Sequence, residues 1–330
     1  MRKPSIVIVT PALAEANNGN WQTADRWARM LRKEYCVRLA SQWDGGDEDL
    51  MIALHARRSA GSVARWRTQR AAAPLVLVLT GTDLYRDIAA DASAQASLQH
   101  ADRLVVLNEV GALALPEALR FKARVLLQSS TARQRLPKSE RHLRAVMVGH
   151  LRPEKAPQTF FEAARLLDGR SDILLDHIGA PLCTALGDEA TALMRACPRY
   201  RWLGEMAHAA ARRRIQAAHV LVHPSRMEGG AHVVIEALRS GTPVLASRID
   251  GNVGLLGPDY DGYFAADDAP ALAAMLARLR DEPAMLSHLR SQCDARAPLF
   301  APAQEHAALH ALIAQSLAAA PRAAPFPTSD

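Results

Sequence analysis

Val220-Leu-Val-His-Pro-Ser225, Met227-Glu-Gly-Gly-Ala-His-Val-Val-Ile-Glu-Ala-Leu-Arg-Ser-Gly241 and Thr242-Pro-Val-Leu245 form the stretch that decides how this chain folds. An apolar run stopped by a proline turn reads as a strand, and the segment after the two glycines carries a helical pattern. Pro243 then opens a second apolar run, so strand, loop, helix and strand follow in order. Glu228 falls in the loop and Glu236 about two turns into the helix, at ~3.6 residues per turn. Gly229 and Gly230 leave the helix start open, so that backbone N–H groups at Ala231, His232 and Val233 face outward and suit an anion. Two carboxylates accept hydrogen bonds from hydroxyls, and the helix end suits phosphate. The combination fits a ligand carrying both, as a nucleotide-sugar does. His232 stays open between a phosphate ligand in the first helical turn and a half-buried helix residue.

The pattern extends in both directions. Strand-like runs are expected at Ile6–Thr10, Val37–Ala40, Leu50–Leu54, Leu75–Thr80, Arg103–Leu107 and Val125–Leu127. A second series is expected at Ala145–Gly149, Ile173–Ile178, Tyr200–Leu203, His219–His223, Pro243–Ala246 and Gly262–Phe264. Helical patterns lie between them from Asn20–Lys33 onward, with a last helix over roughly Pro302–Leu317. Such alternation predicts an α/β chain of two doubly wound, Rossmann-like halves whose strand ends carry the ligands. A length of 330 residues suits two domains. The polar stretch Ser129–Arg144, with Pro137, reads as the linker, dividing 1–137 from 138–297. The end, 318–330, lacks periodicity and reads as a disordered tail.

Composition narrows the function classes. Apolar residues make up 49% of the chain, but no run approaches the ~20 residues of a membrane span. The short apolar start reads as a strand rather than a signal peptide. Cys36, Cys183, Cys197 and Cys293 are scattered, which fits four small buried hydrophobes in a reduced, cytoplasmic protein. The net charge of +6 comes from 35 arginines and only five lysines, dispersed and with few aromatics, so no nucleic-acid partner is expected. The densest basic run, Arg57 to Arg70, reads as a solvated helix face, with membrane contact through Trp66 as the alternative. No Asp-x-Asp motif or His/Asp constellation stands out, and neither an essential metal nor a cofactor is expected.

Further candidates follow other strands. Gly149-His-Leu-Arg-Pro-Glu-Lys155 offers Arg152 and Lys155 after the first strand of the second half. Asn17-Asn-Gly-Asn-Trp-Gln-Thr23 opens the first helix with residues suited to tight turns and close backbone approach, including Gly19, Asn20 and Thr23. His55 and Thr80-Gly-Thr-Asp83 end two more strands of the same half.

The Glu228 to Pro243 segment resembles the donor-binding segment of retaining glycosyltransferases of family 4, which have the GT-B fold. The resemblance implies that Glu228 meets the donor sugar and Glu236 the ribose hydroxyls. It also implies that Arg152 and Lys155 neutralise the leaving diphosphate, and that the last helix, about 298–317, crosses back onto the first domain. The stretches Asn18-Gly-Asn-Trp-Gln-Thr-Ala, Ala53-Leu-His-Ala-Arg-Arg-Ser59, Leu79-Thr-Gly-Thr-Asp-Leu84 and Asp250-Gly-Asn-Val-Gly-Leu-Leu-Gly257 are similar to a distinct branch of that family, the selenosugar synthases of the selenoneine pathway. Departures from the ordinary family pattern, His150 in place of Arg and Gly229-Gly-Ala-His232 in place of Gly-Phe-Gly, point the same way. The branch implies transfer of N-acetylglucosamine from UDP-N-acetylglucosamine to selenophosphate, with release of UDP and phosphate. For the acceptor, Asn20, Thr23, Arg57, Thr82 and Arg86 are the candidates. Two other readings stand beside it. One is a conventional sugar transferase acting on an alcohol, lipid or glycan, for which His55 or Asp83 would be the base. The other is a nucleotide-sugar sensor without turnover.

Overall fold

A computed structural model describes residues 2–11 and 19–319. Asn17, Asn18 and most of the expected tail lie outside the described residues. Two compact units are present: Met1–Leu107 with Gly111–Leu126 and Glu305–Asp330, and Asn108–Val110 with Leu127–Gln304.

The first unit is built on β1 (Ser5–Val9), β2 (Cys36–Ala40), β3 (Leu50–Leu54), β4 (Leu75–Leu79), β5 (Arg103–Val106) and β6 (Ala123–Val125). They form one parallel sheet in the order β2-β1-β3-β4-β5-β6. Because side chains alternate along a strand, Leu75, Leu77 and Leu79 enter one apolar cluster while Val76 and Val78 enter the other. Both faces are covered, which is why these runs are apolar throughout. The C-terminal helix Pro302–Ala319 packs here through Leu309, Leu312 and Ile313. Buried Glu305 locks it: Oε1 accepts from Trp27 Nε1 at 2.7 Å, and Oε2 pairs with Arg26 Nε at 3.0 Å.

The second unit repeats the plan with β7 (Leu143–Val148), β8 (Ile173–Ile178), β9 (Tyr200–Trp202), β10 (Val220–His223), β11 (Val244–Ser247) and β12 (Tyr263–Phe264). Its parallel order is β12-β11-β10-β7-β8-β9, so the winding direction reverses between the neighbours β7 and β10. Open α/β sheets place ligands at the carboxyl ends of the strands flanking such a reversal.

All twelve expected strands are present, with β6 placed earlier than expected and β7 starting at Leu143. Three expectations are corrected. The stretch 129–144 is no free linker but a strap on the second unit. Arg133 N donates to Arg239 O at 2.8 Å, Arg239 Nε to Ser130 O at 3.0 Å, and Gln216 Nε2 to Gln134 O at 2.6 Å. Trp66 is fully buried, edge-on to Trp43 with ring centroids 5.0 Å apart, so it is not available to a membrane surface. Cys36 is exposed at the start of an edge strand, whereas Cys197 and Cys293 are buried as expected. Among the described residues, no helix is long and apolar enough to cross a membrane.

Candidate active site

At the reversal, β7 runs into Gly149–Lys155 and β10 into the loop holding Glu228. The 3-10 turn Pro153–Lys155 brings Lys155 Nζ to 2.5 Å from Glu228 Oε1, both largely shielded from solvent. His223, fully buried at the last position of β10, places Nε2 3.3 Å from the same oxygen. Burial pulls the Glu228 carboxyl upward, but the Lys155 charge and the His223 contact outweigh it and hold it well below the ordinary carboxylate range. Burial lowers the pKa of His223. Glu228 is therefore a permanent carboxylate. It accepts hydroxyl hydrogen bonds and opposes positive charge at a reacting carbon, and it is too weak a base to deprotonate an alcohol.

Two glycines let the backbone reach this arrangement. An added Cβ at Gly179 would lie 2.0 Å from Gly149 O, and one at Gly251 would lie 2.0 Å from Glu228 O. His177 supports the same loop from beneath. Its Nε2 lies 3.2 Å from Gly149 O and its Nδ1 3.0 Å from Tyr200 Oη, which fits Nε2–H donating to the carbonyl and the tyrosine donating to Nδ1. Burial pushes His177 down to about 4, against the upward pull of its bond to Gly149.

The unfolded chain protonates this residue below its ordinary 6.5 while the folded chain stays neutral. Stability is therefore intact above that pH and lost as pH falls toward 4, by roughly 2–3 kcal/mol at pH ~4.5. Urea unfolding at pH 7 and 4.5 should show a smaller acid loss in His177→Phe than in the parent. Equal losses in both would remove His177 from this account.

Glu236 lies in the helix His232–Leu238 and is almost completely buried. His208 Nε2 contacts its Oε1, His232 Nδ1 lies at 3.2 Å from that oxygen and Arg212 Nε at 3.7 Å. Burial raises this carboxyl, but hydrogen bonds from His208 and His232 dominate and bring it to about 2. His232 Nε2 meets Ser129 O at 3.0 Å. Ala231 is buried ahead of the helix, Val233 and Gly230 are half-buried, and Gly229 O accepts from Asn108 Nδ2 at 2.8 Å. The helix is only seven residues long. A helix this short has few aligned peptide dipoles, so the weight of neutralising an anion shifts to side chains. Arg152 is exposed on the Lys155 loop. His150 accepts from Ala180 N at 3.0 Å, a bond within the protein.

In the first unit, Gly19, Asn20 and Thr23 share the first turns of helix Gly19–Leu31, where Thr23 Oγ1 donates to Gly19 O at 2.8 Å. His55 follows β3 with φ 74° and is buried. Its Nδ1 accepts a long bond from Arg58 N at 3.4 Å, which leaves the proton of the neutral ring on Nε2, 3.2 Å from Thr82 Oγ1. Burial lowers its pKa despite nearby Asp83 and Asp87. Asp83 is saturated: Oδ1 accepts from Thr80 N and Gly81 N, each at 2.9 Å, and Oδ2 from Ala56 N at 2.9 Å. Arg57 Nε and Arg86 Nε each lie 3.0 Å from the buried Asp87 carboxylate. Two guanidiniums therefore share one carboxylate.

The structure brings together Lys155 with Glu228, His232 with Glu236, Gly19 with Thr23, and His55 with Thr82, while Arg57 and Arg86 meet at Asp87. Sequence reasoning passed over His223, His208, Arg212 and Asp87. His223 was visible as the last residue of a buried strand, but His208 and Arg212 come from a different helix, and nothing in their spacing connects them to Glu236.

The profile of the family described as glycosyl transferases group 1 matches residues 128–298. A D-inositol 3-phosphate glycosyltransferase of Geodermatophilus obscurus is 31% identical over 164 residues, covering 45% of this chain and 36% of that protein. The chain thus spans little more than a third of that curated relative's length. Among solved structures, sucrose-phosphate synthase from Thermosynechococcus elongatus matches with a TM-score of 0.78 at 18% identity, over 96% of this chain and all of that one. Anabaena HepE in complex with UDP-glucose matches with a TM-score of 0.73 at 14% identity, over 94% of this chain and 99% of that one. These likenesses establish the fold as GT-B, and the profile match spans more than half of the 330 residues. The chain belongs to the group 1 glycosyl transferases.

Proposed function

We propose that this chain is a retaining, UDP-sugar-dependent glycosyltransferase that transfers N-acetylglucosamine to selenophosphate. The observation that carries the transferase reading is the Lys155–Glu228 pair, 2.5 Å apart at the strand reversal of the second unit. In this reading Glu228 takes a donor-sugar hydroxyl, Glu236 takes the ribose hydroxyls, and Lys155 and Arg152 stabilise the departing diphosphate. The Gly229–Val233 backbone lines the donor.

The acceptor assignment rests on the branch signatures and on the state of the two candidate bases. An alcohol acceptor needs deprotonation, yet His55 presents Nε2–H toward Thr82 and Asp83 is consumed by three backbone amides. Selenophosphate is already anionic at selenium, so it attacks the anomeric carbon without a base. The carbon–selenium bond forms as the bond to the diphosphate breaks and UDP leaves. Water then cleaves the selenium–phosphorus bond and phosphate is lost. Arg57 and Arg86, with Asn20, Thr23 and Thr82, are the proposed anion holders.

The deciding experiment incubates purified protein with UDP-N-acetylglucosamine and selenophosphate without oxygen. Mass spectrometry follows the seleno-sugar and a parallel assay follows UDP. A selenium-dependent product supports the reading. UDP release without it returns the acceptor to the alcohol, lipid or glycan class. Binding without release leaves a sensor. Glu236→Ala is expected to weaken UDP binding about 10- to 100-fold by calorimetry, since hydrogen bonds to a charged group contribute about 1.5–3 kcal/mol each. An unchanged affinity would detach Glu236 from the ribose.

A further inference from the structure

We infer that His208, His232 and Glu236 form a binding site for one zinc-class divalent cation. Two helices supply it: His208 opens helix His208–Ala217, while His232 and Glu236 stand four residues apart on helix His232–Leu238. One ligand atom from each lies within 4.8 Å of the others. His232 sets the chemistry. Its Nε2 meets a carbonyl, Ser129 O at 3.0 Å, which can only accept, so that nitrogen carries a proton. In a neutral ring Nδ1 is then a lone pair facing Glu236 Oε1 at 3.2 Å, with His208 Nε2 against the same oxygen. Either protons on His208 Nε2 and His232 Nδ1 or a single cation must fill the space between these atoms and Glu236 Oε1, and one cation satisfies all three. A ligating imidazole whose other nitrogen donates to a carbonyl is the usual arrangement around protein-bound zinc.

Two imidazoles and one carboxylate, with a fourth position open toward solvent at half-exposed His208, match a three-ligand zinc set. Nitrogen donors favour zinc, cobalt or nickel over magnesium or calcium. Arg212 Nε, 3.7 Å from Oε1, is the nearby positive charge that opposes the cation, and its guanidinium is partly occupied by Thr131, with Nη2 donating to the carbonyl at 2.8 Å. The site itself is independent of the proposed reaction. Its consequence is not: if Glu236 serves the ribose, bound zinc and UDP compete for one carboxylate.

The test uses metal-free full-length protein carrying Cys36→Ser, which removes the exposed thiol as a rival ligand. Zinc is titrated against a chromophoric chelator, and cobalt is followed by its visible absorption. One equivalent should bind, with the intense bands of a four-coordinate cobalt site. His208→Ala should lower affinity by about 100-fold or more, and His208→Cys should restore part of it. Circular dichroism confirms that the variants are folded. Failure to bind one equivalent, or equal affinity in His208→Ala, overturns the site. Calorimetric UDP titration with and without zinc separates the two readings. A weaker UDP affinity in zinc supports the site and the shared carboxylate. Stoichiometric zinc with unchanged UDP affinity supports the site and removes Glu236 from the ribose. UDP binding without zinc binding overturns the site and leaves the donor reading standing.

Discussion

Lys155→Ala should lower kcat by about 10²- to 10³-fold, the loss typical when one preorganised donor to a developing negative charge is removed. Lys155 is the shielded cation 2.5 Å from Glu228, on the loop that follows β7. In the proposed role its removal strips charge from the leaving diphosphate and leaves the rest of the donor site untouched, so KM for the donor should change much less than kcat. The variant should also lose stability. Deleting one partner of a buried pair costs about 3–5 kcal/mol when the other charge is stranded. The loss here should sit near the lower figure, because His223 still faces Glu228 at 3.3 Å. Steady-state kinetics at saturating donor, with thermal unfolding in parallel, checks both parts. A kcat within about threefold of the parent would take Lys155 out of leaving-group stabilisation.

Gly251→Ala should reduce turnover by about 100-fold even though alanine is the better helix former by ~1 kcal/mol. Gly251 lies in the first turn of helix Asp250–Leu256, and an added methyl would stand 2.0 Å from the Glu228 carbonyl oxygen. No side-chain rotation relieves a clash between Cβ and backbone, so the loop holding Glu228 must move. An ångström of displacement at a reacting group is enough for a loss of that size. Gly61→Ala is the matched control. It also sits in a helix, Ala60–Gln69, but nothing lies within 4 Å of its added Cβ, so it should be neutral or stabilising by up to about 1 kcal/mol. Equal turnover in both variants would show that the Asp250-Gly251 pair does not position Glu228.

The same contrast shows how far the sequence was legible. Runs such as Leu75–Leu79, apolar at every position and followed by helical patterns, can be satisfied only by strands covered on both faces. Local periodicity therefore determined the twelve strands, the doubly wound plan and the placement of Lys155 and Glu228 after strand ends. The end of β7 and the end of β10 become neighbours only through sheet pairing, yet that adjacency follows from the plan.

What periodicity cannot encode is which side chains meet across elements. Trp66 reads as a possible surface anchor because its neighbours are arginines, but packing against Trp43 decided its burial. The strap 129–144 reads as a linker because it is polar, whereas its backbone partners lie on distant helices. Asp83 reads as a candidate base, and only the folded loop shows three amides converging on its carboxylate. The sequence by itself determined the architecture and the position of Glu228 and Lys155 after strand ends, because short-range hydrophobic pattern suffices for those, while the roles of these residues and of Glu236 come from the family resemblance. Only the tertiary structure decided the protonation and company of Glu228 and Glu236, because burial and charge come from His223, His208, Arg212 and Lys155, residues brought close by folding.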